Sequence, residues 1–349
     1  MDARNRVGQR RVEKRDLHNK EMSEISTLSA FQMILLFLIL MGILHYIWLI
    51  YKDKYEIIKT SNYSEGFTGA TTDAEVSRTT WFENEELFDE FYASVYDNLT
   101  QLSGRYPQEL ALILHQWKKT ASTDEMDVLD VGCGTGIASV LLAKMGVHSV
   151  VGLDKSEAML RRARNVVLPA MALSQEKKDS VTFLQGDMNQ QATFAAGQFS
   201  NAVVLFFVIY YSVDKAGLFQ NLFYWIRPGG SIAIEVVNKY KFDPMLEAAS
   251  PFVGVSLQKY TKERITKSKV EFDRFSYEAE FDLQDPAAEF RETFRFADKS
   301  VRRQRHTLNM TDIKDIVHLA QTAGWKYEGN IDLVTAGFEY AYVLLFTHP

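Results

Sequence analysis

The sequence predicts an α/β fold on a doubly wound, mostly parallel sheet of seven strands, with a small antiparallel β insertion and an amino-terminal transmembrane helix. From residue 126 onward, short apolar stretches alternate with helical spacing, the pattern of strands covered on both faces by crossover helices. After residue 240 the period drops to two, as in VEFDRFSYEAEF from Val270 to Phe281, which suits antiparallel strands with one wet face. Ahead of both, Ala30 to Ile50 is a run of 21 residues without a formal charge. At roughly 1.5 Å per residue such a helix crosses a hydrocarbon core.

Taken in order, residues 1–29 form a polar basic tail and 30–51 the transmembrane helix. Gln32 and His45 are its polar interruptions, and Trp48 and Tyr51 supply interfacial aromatics at one end. A buried core helix is the competing reading. A cleaved signal peptide is disfavoured by the late start and by the lack of a small-residue cleavage site. Arg4, Arg6, Arg10, Arg11, Lys14, Arg15 and Lys20 outnumber Lys52, Lys54 and Lys59, a bias toward a cytosolic amino terminus. Residues 52–83 read as a linker and 84–349 as the main domain, with 241–309 its antiparallel lid. That domain opens on helical spacing from Asn84 to Lys118 (Leu87, Phe88, Phe91, Tyr92, Val95, Tyr96, Leu99), with a break expected near Gly104-Arg105-Tyr106-Pro107. Parallel strands are expected at Val128–Val131, Ser149–Leu153, Val181–Gln185, Asn201–Phe206 and Ser231–Val236. Antiparallel ones are expected at Lys269–Leu283, Glu289–Phe296 and Val301–Asn309. A helix over Thr311–Ala323 stops at Gly324, a suitable C-cap, and strands near Tyr327–Leu333 and Tyr340–Phe346 close the chain.

The chain has 349 residues, a net charge of −6, and 46% hydrophobic and 24% charged residues, which is ordinary for a globular protein. Residues 1–59 hold ten Lys/Arg against seven Asp/Glu, so the main domain carries the acidic balance. That argues against a nucleic-acid partner, whose binding rests on phosphate neutralisation. The single cysteine, Cys133, rules out an internal disulfide. No Cys/His cluster suggests a metal.

The most specific stretch is Val128-Leu129-Asp130-Val131-Gly132-Cys133-Gly134-Thr135-Gly136, an apolar strand running into a turn with a glycine at every second position. Such a turn lets a ligand lie against bare backbone. The dinucleotide fingerprint would need its third glycine at Ile137, so a nicotinamide dehydrogenase is disfavoured. The pattern D-x-G-x-G-x-G, with Asp130 at the strand end, resembles the first motif of the class I S-adenosylmethionine-dependent methyltransferases, whose fold is Rossmann-like. The run Asp154-Lys155-Ser156-Glu157-Ala158-Met159-Leu160 and Ala163 is similar to that family's D-x-S-x-x-M-L-x-x-A.

The resemblance implies S-adenosylmethionine as cofactor and assigns its site residue by residue. Gly132, Cys133, Gly134, Thr135 and Gly136 would approach the methionine portion, and Asp130 would orient loop amides or reach the ammonium through water. Asp154, followed by Lys155, would accept from the ribose hydroxyls. Asp187 and Met188, ending Val181–Met188, would meet the adenine. Leu205 opens the run Leu205–Tyr211 beside the transferred methyl, and Tyr96 would close over the methionine tail. Phe199-Ser200 departs from the family's F-D, which weakens any role for an acid there. The resemblance covers residues 85–240 well and 310–349 loosely. Residues 241–309 and the anchor lie outside it.

Such an enzyme aligns acceptor, methyl and sulfur for in-line displacement and needs a base only if the acceptor must lose a proton. Tyr210, Tyr211 and Glu235, at the sheet's carboxyl edge, and His306, in the lid, are the candidates. The N-P-P-Y tetrapeptide of many amide and adenine N-methyltransferases is absent. The expected activity is methyl transfer to a small-molecule or lipid-like acceptor. A protein methyltransferase, a catalytically silent binding module and an anchored scaffold are the alternatives. Cytosolic supply of the methyl donor favours a single-pass membrane protein with its domain on the cytosolic face, against the charge bias.

Overall fold

The computed structural model describes Gln32, Ile34 and residues 37–42, 79–244 and 264–349. The chain divides into two units, Met1–Lys59 and Thr60–Pro349. In the first, the described residues are helical and exposed. Among the described residues no helix is long and apolar enough to cross a membrane. Most of the expected 30–51 span, the 1–29 tail and residues 52–78 of the linker lie outside the described residues.

The second unit begins with β1 (Thr79–Glu83), α1 (Glu90–Thr100), α2 (Leu102–Trp117), β2 (Asp127–Val131) and α3 (Ile137–Lys144). There follow β3 (Ser149–Asp154), α4 (Glu157–Arg162), β4 (Val181–Gln185), β5 (Phe199–Val204), α5 (Lys215–Trp225) and β6 (Ile226–Val237). Strands β7 (Lys267–Glu271), β8 (Phe275–Gln284), β9 (Ala287–Phe296) and β10 (Val301–Asn309) lead to α6 (Ile313–Thr322), β11 (Lys326–Asp332) and β12 (Ala341–Thr347). The seven-stranded sheet runs β11-β12-β6-β5-β2-β3-β4. β4, β3, β2, β5 and β6 are parallel, and β12 is antiparallel to both neighbours. Every residue of the central β5 is buried, as the apolar run requires. Strand order reverses between β3 and β5 on either side of β2, which opens a crevice at their carboxyl ends.

A second sheet, β1-β10-β9-β8-β7, carries the period-two pattern: β8 buries alternate residues from Phe275. Its apolar face meets α1 in a separate core of Leu87, Tyr92, Val95, Leu99, Phe275, Tyr277 and Phe294.

Three boundaries differ from expectation. Thr79–Glu83, read as linker, is a strand parallel to β10, so the lid draws its edge from well before residues 241–309. The Lys269–Leu283 run is two strands joined by a turn. The helical break falls at Gln101 (φ 53°), and Pro107 sits inside α2. A left-handed residue ends α1 outright, whereas a proline early in a helix forfeits a single amide bond. Gly324 (φ 106°) follows α6, as expected of a C-cap.

Candidate active site

The loop after β2 is pinned by Gly132 and Cys133 amides donating to the Leu153 carbonyl at 2.7 and 3.0 Å. Gly134 (φ 54°) donates its amide to Asp154 Oδ2 at 2.8 Å. A Cβ there would meet only Tyr96 Cε1, at 3.9 Å, so the backbone lies open to a ligand. Asp154 Oδ1 accepts the Ser156 amide at 2.8 Å. The Ser156 hydroxyl caps α4 and donates to the Phe88 carbonyl at 2.6 Å. Burial pushes the Asp154 carboxyl above its usual range, against these amides.

Gly132, Gly134, Asp154, Lys155, Met188 and Tyr96 line one cavity of about 560 Å³. Asp187 stands beside it. Lys155 pairs with Asp187 and Glu85, at 3.0 and 2.5 Å. Desolvation pushes the Asp187 carboxyl up, but the Asn189 amide and Lys155 hold it below the usual range.

Other expected contacts face elsewhere. Asp130 accepts from Ser139 on α3 at 2.6 Å, and its burial lifts its carboxyl to about 6. It lies on the helix-covered face of β2, away from the cavity. Cys133 packs its sulfur against Gly152, and burial pushes the thiol up. Thr135 donates to Asp97 at 2.5 Å, which also binds Arg162. Gly136 packs on Phe183. Leu205 is buried, and the cavity is lined instead by Phe206, Phe207 and Val208. Ser200 bonds the Asp127 amide at 2.9 Å and ties β5 to β2, a structural task that explains the departure from an acid.

The four base candidates separate. Tyr210 is buried and its hydroxyl is taken by the Val237 backbone, accepting the amide at 2.8 Å. Glu235 accepts from Arg105 and from the Phe206 amide and does not line the cavity. Tyr211, on the one-turn helix Val208–Tyr211, and His306, on β10, both line it, and the Tyr211 hydroxyl lies 2.6 Å from His306 Nδ1. The other ring nitrogen, Nε2, lies 2.6 Å from Glu292 Oε2. Glu292 was missed, yet it left a signal. It stands between Phe290 and Phe294 on the inward-facing register of β9, a charged residue at an apolar position. Gln304 and His306 break the apolar face of β10 in the same way.

Residues 122–285 match the family described as the methyltransferase domain. In sequence the chain resembles methyltransferases. Over 251 residues it is 24% identical to the sterol 24-C-methyltransferase of Debaryomyces hansenii, covering 67% of this chain and 65% of the relative. Over 120 residues it is 35% identical to the trans-aconitate 2-methyltransferase of Azoarcus sp., covering 34% and 41%. The structure of the CcbJ methyltransferase from Streptomyces caelestis shares the fold, with a TM-score of 0.56 and 17% identity over 76% of this chain and 99% of that one. The chain spans about half the length of the curated relatives it matches. The residues lining the cavity fit S-adenosylmethionine. Gly134 leaves a cradle that a side chain would fill, and Asp154 sets a buried carboxylate on the cavity wall.

Proposed function

We propose that the chain is a methyltransferase that moves a methyl group from S-adenosylmethionine to a small-molecule acceptor. The observation that supports this best is one continuous cavity that joins Gly134 and Asp154 to Tyr211 and His306. Asp154 would accept from the ribose hydroxyls, the Asp187–Met188 turn would meet the adenine, and Gly132, Gly134 and Tyr96 would hold the methionine portion. When bound, the cofactor supplies an electrophilic methyl whose leaving group is a neutral thioether. The chain's own work is then alignment and exclusion of water. The rings of Phe88, Tyr92, Phe206, Phe207, Phe242, Phe281 and Phe290 on the cavity wall suit an apolar acceptor.

The uncharged run at 30–51 supports single-pass membrane anchorage, with the domain on the cytosolic face where methyl donor is made. A lipid-like acceptor accords with that placement and with the sterol-modifying relative.

The test is calorimetry on the purified full chain with S-adenosylmethionine and S-adenosylhomocysteine, alongside Asp154→Ala. Binding weakened at least tenfold in the variant, about 1.4 kcal/mol, is the expected result. A folded wild-type protein that binds neither compound overturns the reading. Binding without any methylated product in membrane extracts would leave a silent binding module.

A further inference from the structure

We propose that Tyr211, His306 and Glu292 form a proton relay, and that the acceptor is therefore a hydroxyl compound with an apolar, aromatic body. The proposal rests on the methyltransferase reading. Its geometry is a chain of short contacts leading out of the cavity. The Tyr211 hydroxyl donates to His306 Nδ1 at 2.6 Å, and His306 Nε2 donates to Glu292 Oε2 at 2.6 Å. This tautomer follows from the partners, since a carboxylate can only accept and a phenol held at Nδ1 then donates. Glu292 is held by two further donors. Tyr277 donates to its Oε1 at 2.5 Å and Gln304 to its Oε2 at 2.6 Å. Arg302 binds Gln304 at 2.8 Å and continues the chain to Asp89, the N-cap of α1, at 2.7 Å. Beyond Tyr211 and Glu292, the titratable neighbour of His306 is Tyr92 on α1, whose hydroxyl lies 3.5 Å from Nε2. The rings of Phe88 and Phe290 complete the enclosure.

The electrostatics suit transfer toward the histidine. Burial pushes Glu292 up, but His306, Tyr277 and Gln304 together hold its carboxyl below the usual range, so it stays ionised. Burial pushes the Tyr211 phenol well up, so at neutral pH it keeps its proton and can pass one along. A neutral amine attacks with a free lone pair, whereas a hydroxyl is a weak nucleophile until its proton is leaving. The relay is the device a hydroxyl needs. The charged members of the cavity wall, Glu85, Asp154 and Lys155, belong to the cofactor-side elements, and the acceptor side offers rings.

In the transfer, the acceptor oxygen forms its bond to the methyl carbon with its own lone pair, while the carbon–sulfur pair departs with sulfur as a neutral thioether. The acceptor proton passes to the Tyr211 oxygen as the Tyr211 proton passes to His306 Nδ1. An imidazolium is left against the Glu292 carboxylate, and it releases its proton to solvent once product leaves.

The experiment uses the full chain loaded with S-adenosylhomocysteine and para-nitrophenol as probe, whose ionisation is read by absorbance without any methyl transfer. The bound phenol is expected to ionise about one pH unit below the free compound, a tenfold shift. Tyr211→Phe and Glu292→Gln are expected to abolish the shift while S-adenosylhomocysteine affinity stays within about twofold. A phenol that is excluded, that ionises no earlier than in water, or whose shift survives both substitutions overturns the relay. Failure of the wild-type protein to bind S-adenosylhomocysteine overturns the methyltransferase reading instead, and the phenol shift remains readable on the bare protein.

Discussion

Two glycines two positions apart, Gly134 and Gly136, show how a motif divides its labour. A Cβ at Gly136 (φ 78°) would sit 2.6 Å from the Phe183 ring and 2.9 Å from Ala163. Gly136→Ala should therefore destabilise the fold by about 2–4 kcal/mol, left-handed strain plus overpacking, in denaturant unfolding. At Gly134 the same methyl finds open cavity. Gly134→Ala should lose about 1–2 kcal/mol of stability from strain, yet weaken S-adenosylhomocysteine binding more than Gly136→Ala does in molecules that remain folded. A second residue-scale case lies on α2. Burial, and then Glu235, lift the Glu109 carboxyl from 4.5 to about 8 despite Arg105. The native state thus keeps a proton that the unfolded chain has released. Its contribution to stability is full below pH 4.5 and is lost as pH rises through about 8. Glu109→Gln should flatten that decline and raise the melting temperature at roughly pH 9. Equal pH slopes for both proteins in thermal melts would refute it.

At the scale of elements, polar contacts decide where helices begin and how they are aimed. Asp89 caps α1 by accepting the Tyr92 amide at 3.0 Å and pairs with Arg302 of β10 at 2.7 Å. Asp89→Ala should cost about 2 kcal/mol, the cap plus a partly exposed ion pair, in urea unfolding. A loss under about 0.5 kcal/mol would show that Arg302 finds compensation at Leu87 and Gln304. The turn after β5 holds Phe206 and Phe207 at φ 42° and 65°, a strained pair that turns both rings to the cavity wall. Element types were legible because the parallel strands are short, apolar-rich stretches set between segments of helical spacing. Two of the three displaced boundaries show why others were not. β1 is five residues long with no turn signal ahead of it, and it exists because β10 offers it an edge. The end of α1 falls at Gln101, a residue type with no turn preference, adopting a left-handed backbone because of what packs on either side.

The described residues form two hydrophobic cores, one around the seven-stranded sheet and one between α1 and the five-stranded sheet. Phe294, fully buried, anchors the second and meets the ring of Phe91 at 5.1 Å. Phe294→Ala should cost about 3–5 kcal/mol. Hydrogen exchange should then rise in β7 to β10 while the amides of β2, β3 and β5 keep their protection. Uniform loss across both sheets would show that the cores fold as one unit. The arrangement places the donor site and Tyr211 at the carboxyl edge of the larger sheet and His306 and Glu292 on the smaller one, so the proposed relay bridges the two sheets.

By itself the sequence determined the alternation that makes the parallel sheet, the glycine loop at 132–136, and the acid at Asp154, since each depends on residues adjacent along the chain. Strands β8, β9 and β10 of the lid were equally legible from their period, whereas β1 and the turn between β7 and β8 were not. Only the tertiary structure decided which candidates meet. Asp130 and Tyr210 carry suitable groups, yet each spends them within the core, on Ser139 and on the Val237 backbone. Tyr211 and His306 stand 95 positions apart, and Glu292 another 14 from His306. Periodicity reports which face of an element a side chain occupies, but distance between elements is set by how the elements pack, and that is a property of the folded chain alone.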